Sequence, residues 1–235
     1  MPLILDLPEV RDRDDVRRAP LRVTWTRQGL LDVLSPGPVR ALDVGAGRHP
    51  LTLRTIDEVV TVDFDETSSP TVAIDFSNRW PFGKAEFDLI YLSHVVEHLY
   101  PSDRDELIRN VYSSTRPGGY VLIRVPHRSS IQATGWEHHS VFGMNGAMSL
   151  CHGYNPTLPM FRAVSVGVAL TTEFDRQRTG RQRVLEDALN RKFRLTDQFL
   201  SKIIGGIEEV QFLLQRLPEG VEATLREDTR SGHAN

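Results

Sequence analysis

A single cysteine, Cys151, stands in 235 residues, so the chain holds no internal disulfide and is expected in a reducing compartment. No hydrophobic run reaches the length of a membrane span or takes the form of a secretory signal, which points to the cytoplasm and away from a membrane. A formal net charge of -3 provides no global basic field, so nucleic acid and anionic surfaces are poor expected partners. Internal repeats and low-complexity tracts are absent too. The length suits one α/β domain with elaborations, large enough to bury a core without covalent staples.

What the chain does have is a succession of short apolar runs between turn signals. Val39 to Val44, Val59 to Asp63, Thr71 to Asp75, Phe87 to Leu92 and Gly119 to Val125 read as strands. A short amphipathic helix, Thr24 to Leu34, precedes them with Trp25, Leu30, Leu31 and Leu34, and Ser35-Pro36-Gly37-Pro38 ends it. A second helix begins near Ser102, carries Leu107, Ile108, Val111 and Tyr112 at helical spacing, and stops at Arg116-Pro117-Gly118-Gly119. Alternation of this kind favours a parallel sheet. Phe161 to Phe174, interrupted by Gly167, reads as a strand or an antiparallel pair. Leu195 to Leu217 repeats Phe199, Ile203, Ile207, Val210, Leu214 and Leu217, the pattern of a long amphipathic helix weakened at Gly205-Gly206, whose stripe is core or the face of a homodimer. Residues 1–23 read as an arm or flap and 218–235 as a flexible tail.

The most informative segment is ALDVGAG, Ala41 to Gly47. An apolar strand runs there into a turn of glycine and alanine, where positive φ is cheap and a ligand can approach the backbone. At the carboxyl end of a parallel strand such a turn marks the cofactor crevice of an open α/β sheet. A dinucleotide fingerprint would need a third glycine, but Pro50 follows Arg48 and His49, and a pyrophosphate cradle is disfavoured. No G-x-x-x-x-G-K-[ST] is present either, which removes the usual triphosphate loop. Asp63 ends the next strand, where a carboxylate can accept both hydroxyl protons of a ribose. Together these features favour a nucleoside without phosphates.

Over Val39 to Pro126 this ordered set, continued by Asp75, AIDFSNRWPF and FDLIYLSHVVEHL, resembles the class I S-adenosylmethionine-dependent methyltransferases, and within them the small bacterial type-11 group. The resemblance implies a Rossmann-like α/β fold, a central and mostly parallel sheet flanked by helices with an extra C-terminal helix, occupying 24–217 with acceptor-side additions from about 127. It implies S-adenosylmethionine as donor and S-adenosylhomocysteine as product. Gly45, Ala46 and Gly47 would line the methionine portion, Asp63 would hold the ribose, and Asp75 with Phe76 would frame the adenine. Ser93 and His94 would close the site. Asp43 and Phe64 complete the set, Asp43 either touching the cofactor's amino group or fixing the turn by hydrogen bonds.

Helical spacing over Ser93 to Leu99 would put Val95, Val96 and Leu99 on one stripe and His94, Glu97 and His98 on the other. Trp136 to Phe142 brings a second cluster with His138 and His139, preceded by His127. Glu97, His98, His138 and His139 are the catalytic candidates, with histidine suited to act as base. Two other readings stay open. Glu97 and His98 could position the loop through hydrogen bonds, or His94, Glu97 and His98 with His138 or His139 could hold a divalent metal. The latter set resembles the ligand pattern of metal-dependent ubiquinone O-methyltransferases and small-RNA 2′-O-methyltransferases. His152, Tyr154 and Asn155-Pro156 are further candidates for an acceptor pocket, and Arg176, Arg178, Arg181 and Arg183 form either a solvated face or a site for an anionic substrate. The expected activity is methylation of oxygen or nitrogen on a small-molecule acceptor such as a sugar or natural-product intermediate. The alternatives are a metal-dependent 2′-O-methyltransferase of RNA and a cofactor-binding pseudoenzyme that serves as an interaction module.

Overall fold

Seven strands form one sheet in the order β3-β2-β1-β4-β5-β7-β6, in a computed structural model that describes residues 3, 5, 7, 9–10, 24–75, 80–143, 145–152, 155, 157–170, 180–192, 195–196, 206–222 and 225. They are β1 (Arg40–Val44), β2 (Glu58–Asp63), β3 (Val72–Ala73), β4 (Phe87–Ser93), β5 (Thr115–Pro126), β6 (Phe161–Ala169) and β7 (Glu209–Arg216). The first five run parallel, and β7 lies antiparallel between β5 and β6. Successive connections leave β1 in opposite directions, first to β2 and later to β4. The crevice of an open sheet therefore falls outside the carboxyl ends of these two neighbours.

Both faces of the sheet are covered, which is why β1 and β4 are mainly apolar and show no strict alternation. On one face α1 (Arg27–Val33), capped by Thr26 Oγ1 accepting the Gly29 N–H at 3.0 Å, packs with Trp25, Leu30 and Leu34 over Ala41, Leu89, Tyr91 and Leu122. On the other, α2 (Pro101–Ser114) brings Leu107, Ile108 and Val111 to Leu42, Leu92 and Ile123. Pro101 opens α2 where a missing N–H costs nothing, and Asp103 sits favourably in its first turn. Two further helices, α3 (Gly146–His152) and α4 (Gly180–Arg191), pack on β6.

The long helix expected over Leu195 to Leu217 is not the structure of its second half. Residues Glu209–Arg216 are β7, with Phe212 and Leu214 in one apolar layer and Leu213 in the other. A strand buried on both faces shows no alternation, and its apolar residues can match a helical period by coincidence. Val210, Leu214 and Leu217 are thus core and form no dimer face, while 197–205 lie outside the described residues. The part of the expected strand beyond Leu170, Thr171 to Phe174, also lies outside them; Phe161–Ala169 is one strand paired with β7, with Gly167 inside it opposite Gln211.

Near the two termini, the few described residues make contacts with the rest of the fold. Leu3 is buried and bridges Leu34, so that point of the 1–23 segment is part of the core. In the tail, Glu222 accepts the Tyr112 hydroxyl at 2.5 Å and the Met160 N–H at 3.1 Å, and Leu225 is buried. No helix among the described residues is long and apolar enough to cross a membrane.

Candidate functional site

The turn after β1 is built tightly on one side and openly on the other. Gly45 and Ala46 both donate their N–H groups to Val62 O, at 2.8 and 3.2 Å, which ties the turn to β2. Gly45 has φ 69°, and a Cβ there would lie 2.4 Å from Val95 Cγ2, so the turn after β1 interlocks with the turn after β4. Gly47, at φ 53°, has open space where a Cβ would project. Gly45→Ala is therefore expected to cost about 2–5 kcal/mol, combining left-handed strain with overpacking, whereas Gly47→Ala costs only the strain of about 1–2 kcal/mol. Equal losses in chemical denaturation would contradict this packing.

Among residues 45–57, between β1 and β2, there is no helix. A dinucleotide pyrophosphate is normally seated on a helix N-terminus at that place, so this connection lacks the anion-binding element. Side chains hold the loop instead. Asp43 Oδ2 accepts the Leu51 N–H at 2.6 Å, and Arg54 reaches Ser35 O, Gly37 O and Asp57. The bond from Leu51 N–H to Asp43 is of the kind that turn fixation requires. Burial pushes its pKa up to about 7, opposed by the Leu51 N–H and helped by the nearby Asp63 charge. The folded protein then holds a proton on Asp43 that the unfolded chain releases near pH 4, so this group's contribution to stability falls as pH rises from about 4 to about 7. Asp43→Asn should lose that slope; denaturation midpoints measured across the window with unchanged slopes in both proteins would contradict the assignment.

Asp63, at the end of β2, faces the same turn. Its Oδ2 accepts the Gly47 N–H at 2.7 Å and its Oδ1 the Asp65 N–H at 2.9 Å. The adjoining Phe64 is exposed, an apolar ring left at the crevice edge, and Asp75 is exposed after β3. Phe76, the other expected adenine neighbour, lies outside the described residues, as do Tyr154, Pro156, Arg176 and Arg178. Arg181 and Arg183 belong to α4, and Asn155 is described.

Beyond Ser93 the helix expected over Ser93 to Leu99 shrinks to one 3-10 turn, Val96–His98. His94 takes φ 56°, a left-handed conformation that no helix can pass through, and its N–H is held by Arg124 O at 2.9 Å. The expected polar face is consequently split. The His94 ring lies between two carboxylates, Nδ1 at 3.3 Å from Glu97 Oε1 and Nε2 at 3.3 Å from Glu209 Oε2. Burial works against its charge, but the two acids outweigh burial and raise the pKa to about 9. His94 is thus an imidazolium anchored in the protein, with its ring turned to Glu97 and Glu209.

Behind it lies a buried network that the sequence did not announce. Arg124 forms a bidentate pair with Glu209, Nε to Oε1 at 3.0 Å and Nη2 to Oε2 at 2.6 Å, and its Nη1 donates to the Tyr91 hydroxyl at 2.7 Å. Gln211 Nε2 donates to Glu209 Oε1 at 2.7 Å, while Gln211 Oε1 accepts the Trp25 N–H at 2.6 Å. This chain of charge-assisted bonds locks β4, β5, β7 and the approach to α1 at the carboxyl edge of the sheet. A lone arginine in the apolar run Val121 to Val125 was the available signal.

The segment after β5 folds back over this edge. His127 pairs with Phe142 in an isolated bridge, and the His139 N–H donates to Glu97 O at 2.7 Å, which seats the 135–142 loop on the turn after β4. Of the four catalytic candidates, Glu97, His98 and His138 converge, each placing a ligand atom within 4.8 Å of the others. His139 stands apart from them, its ring stacked on Tyr100 at 3.9 Å between centroids. Beneath the loop is a cavity of about 260 Å³ walled by Val96, Ile108, Ile123, Phe142, Leu150 and Phe212, with Arg104 and Asp105 as its charged groups. Arg104 Nη1 donates to Ser140 Oγ at 2.8 Å, joining the start of α2 to the loop.

Residues 16–171, more than half of the chain, match the model of a family described as a methyltransferase domain. The chain belongs to that family, and with it to the class I S-adenosylmethionine-dependent methyltransferases. Comparison with curated protein sequences gives no match. Among solved structures the chain is similar to a SAM-dependent methyltransferase from Archaeoglobus fulgidus, at 18% identity and a TM-score of 0.48 over 76% of this chain and 86% of that one. It is similar to the 1,6-didemethyltoxoflavin-N1-methyltransferase of Burkholderia thailandensis at 16% identity and a TM-score of 0.45, over 77% and 72%. The N-methyltransferase NodS from Bradyrhizobium japonicum WM9 gives 12% identity and a TM-score of 0.46, over 76% and 78%.

Proposed function

We propose that the protein transfers the methyl group of S-adenosylmethionine to an oxygen or nitrogen of a small-molecule acceptor. The observation that carries this reading is the pairing of the glycine turn, Gly45 to Gly47, with the Asp63 carboxylate across a β1–β2 connection that has no helix. Such a site offers backbone and a ribose-binding acid and gives a pyrophosphate no seat. In this assignment Gly45, Ala46 and Gly47 lie along the methionine portion and Asp63 takes the ribose hydroxyls. Phe64, Asp75 and Phe76 border the adenine, Ser93 and His94 close the site, and Asp43 fixes the turn.

The reaction is an in-line displacement. The bond from sulfur to methyl breaks as the bond from methyl to the acceptor forms, the sulfonium becomes a neutral thioether, and the acceptor proton passes to a base. Alignment of donor and acceptor supplies the larger share of rate, on the order of 7–11 kcal/mol in favourable intramolecular cases, and a positioned base adds roughly 10²–10⁴-fold. His138, His98 or His139 would serve as that base, with Glu97 beside the first two. His94 is the weakest of the histidines for the task, since its proton is held by Glu97 and Glu209.

The walls of the cavity under the 135–142 loop are mainly apolar, which suits a compact, largely apolar acceptor with one polar group toward Arg104 or Asp105. Absence of a net positive charge disfavours RNA in its place. Incubation with methyl-labelled S-adenosylmethionine and a panel of small hydroxyl- and amine-bearing compounds, with tRNA and small RNA in parallel, tests the assignment. Label is expected in a small molecule and not in RNA. Transfer to RNA alone, or to no acceptor while the cofactor binds normally, would contradict it.

A further inference from the structure

Glu97 is 1% exposed, and neither of its carboxylate oxygens has a hydrogen-bond partner. His94 Nδ1 lies 3.3 Å from Glu97 Oε1, and the same ring is shared with Glu209, whose Oε2 is 3.3 Å from Nε2. Buried carboxylates stripped of water and donors are costly by several kcal/mol, so the site calls for positive charge at the remaining lone pairs. On the open side stand two imidazoles. One ligand nitrogen from each of His98 and His138 lies within 4.8 Å of the other and of a Glu97 oxygen. Their rings meet edge to face at 4.5 Å between centroids, and Nδ1 of His138 is itself buried with no hydrogen-bond partner.

The three side chains come from two segments pinned to each other, because the His139 N–H is bonded to Glu97 O. The fold also decides among the histidines nearby. His94 is held by Glu97 and Glu209, and the His139 ring lies on Tyr100, so neither joins the cluster. A buried carboxylate with two imidazoles is the donor set of a borderline transition metal, poorer in oxygen than calcium or magnesium requires. Three protein donors also leave a fourth position to a non-protein ligand. We propose that Glu97, His98 and His138 bind one divalent transition-metal ion of the zinc class, in which case the base of the methyl-transfer reading is His139.

The site rests on orphaned atoms and their convergence, independently of the methyl-transfer assignment. The test uses the full chain, stripped of metal with a chelator and returned to zinc, with bound zinc measured after gel filtration and cobalt(II) absorption recorded in parallel. One equivalent of zinc per chain, a raised unfolding temperature and a cobalt spectrum of a nitrogen- and oxygen-ligated site are expected. His98→Ala, at an exposed position, and His138→Ala should each weaken zinc binding by roughly 100-fold or more and alter the cobalt spectrum. Glu97→Gln should do the same, with circular dichroism confirming that it folds. No stoichiometric zinc in folded protein, or zinc bound equally well by the His98→Ala and His138→Ala variants, would overturn the proposal. S-adenosylhomocysteine binding is measured on the same samples, so that failure of the metal site and failure of the cofactor assignment are distinguished.

Discussion

Asp63→Ala is expected to weaken S-adenosylhomocysteine binding by roughly 100-fold or more. A carboxylate accepting two ribose hydroxyls makes two charge-assisted hydrogen bonds at about 1.5–3 kcal/mol each, and every 1.4 kcal/mol is a factor of ten. The same carboxylate already accepts the Gly47 and Asp65 amides, so its loss also frees the glycine turn. Asp63→Asn separates the two contributions, because an amide oxygen can keep one backbone bond while the charge is lost. Calorimetric affinities for both variants check the expectation, and an Asp63→Ala protein that binds within about threefold of the parent would remove Asp63 from the cofactor site.

The second large effect belongs to the buried network. Glu209→Ala is expected to cost about 3–5 kcal/mol of folding stability, because it removes the carboxylate that pairs with the Arg124 guanidinium, 3% exposed, and leaves His94 with Glu97 alone. By contrast, the double variant Arg124→Met with Glu209→Leu removes both buried charges and should be considerably more stable than Glu209→Ala alone. Urea denaturation reads both. A loss for Glu209→Ala no larger than that of a surface substitution would show that the pair carries no such penalty.

The parts of the fold legible in the sequence are those whose cause is local. Ala41 to Gly47 was readable because a buried parallel strand and a glycine turn each leave a compositional mark, and Pro50 stands where a dinucleotide fingerprint needs its third glycine. The end of α1 at Ser35-Pro36 followed from backbone chemistry alone. What was not legible depends on partners far along the chain. Glu209 meets Arg124 across 85 positions, and nothing in Glu208-Glu209 distinguishes a buried acid from a solvated one. The strand β7 was hidden because burial on both faces erases alternation, leaving apolar spacings that a helix would share. Over Ser93 to Leu99 the spacing did place Glu97 and His98 near each other. It could not anticipate the left-handed His94, which ends regular structure there and turns its ring toward β7. Likewise His138 and His139 are adjacent in sequence, yet only the first joins Glu97 and His98, since the second finds Tyr100.

The proposed seat of the cofactor is the crevice at the ends of β1 and β2. Calorimetric titration of the full chain with S-adenosylhomocysteine, compared with NAD under the same conditions, tests it most directly. Saturable binding of S-adenosylhomocysteine at one site per chain, at least about tenfold tighter than NAD, is the predicted result. A folded protein that takes up no S-adenosylhomocysteine, or that prefers NAD, would contradict it.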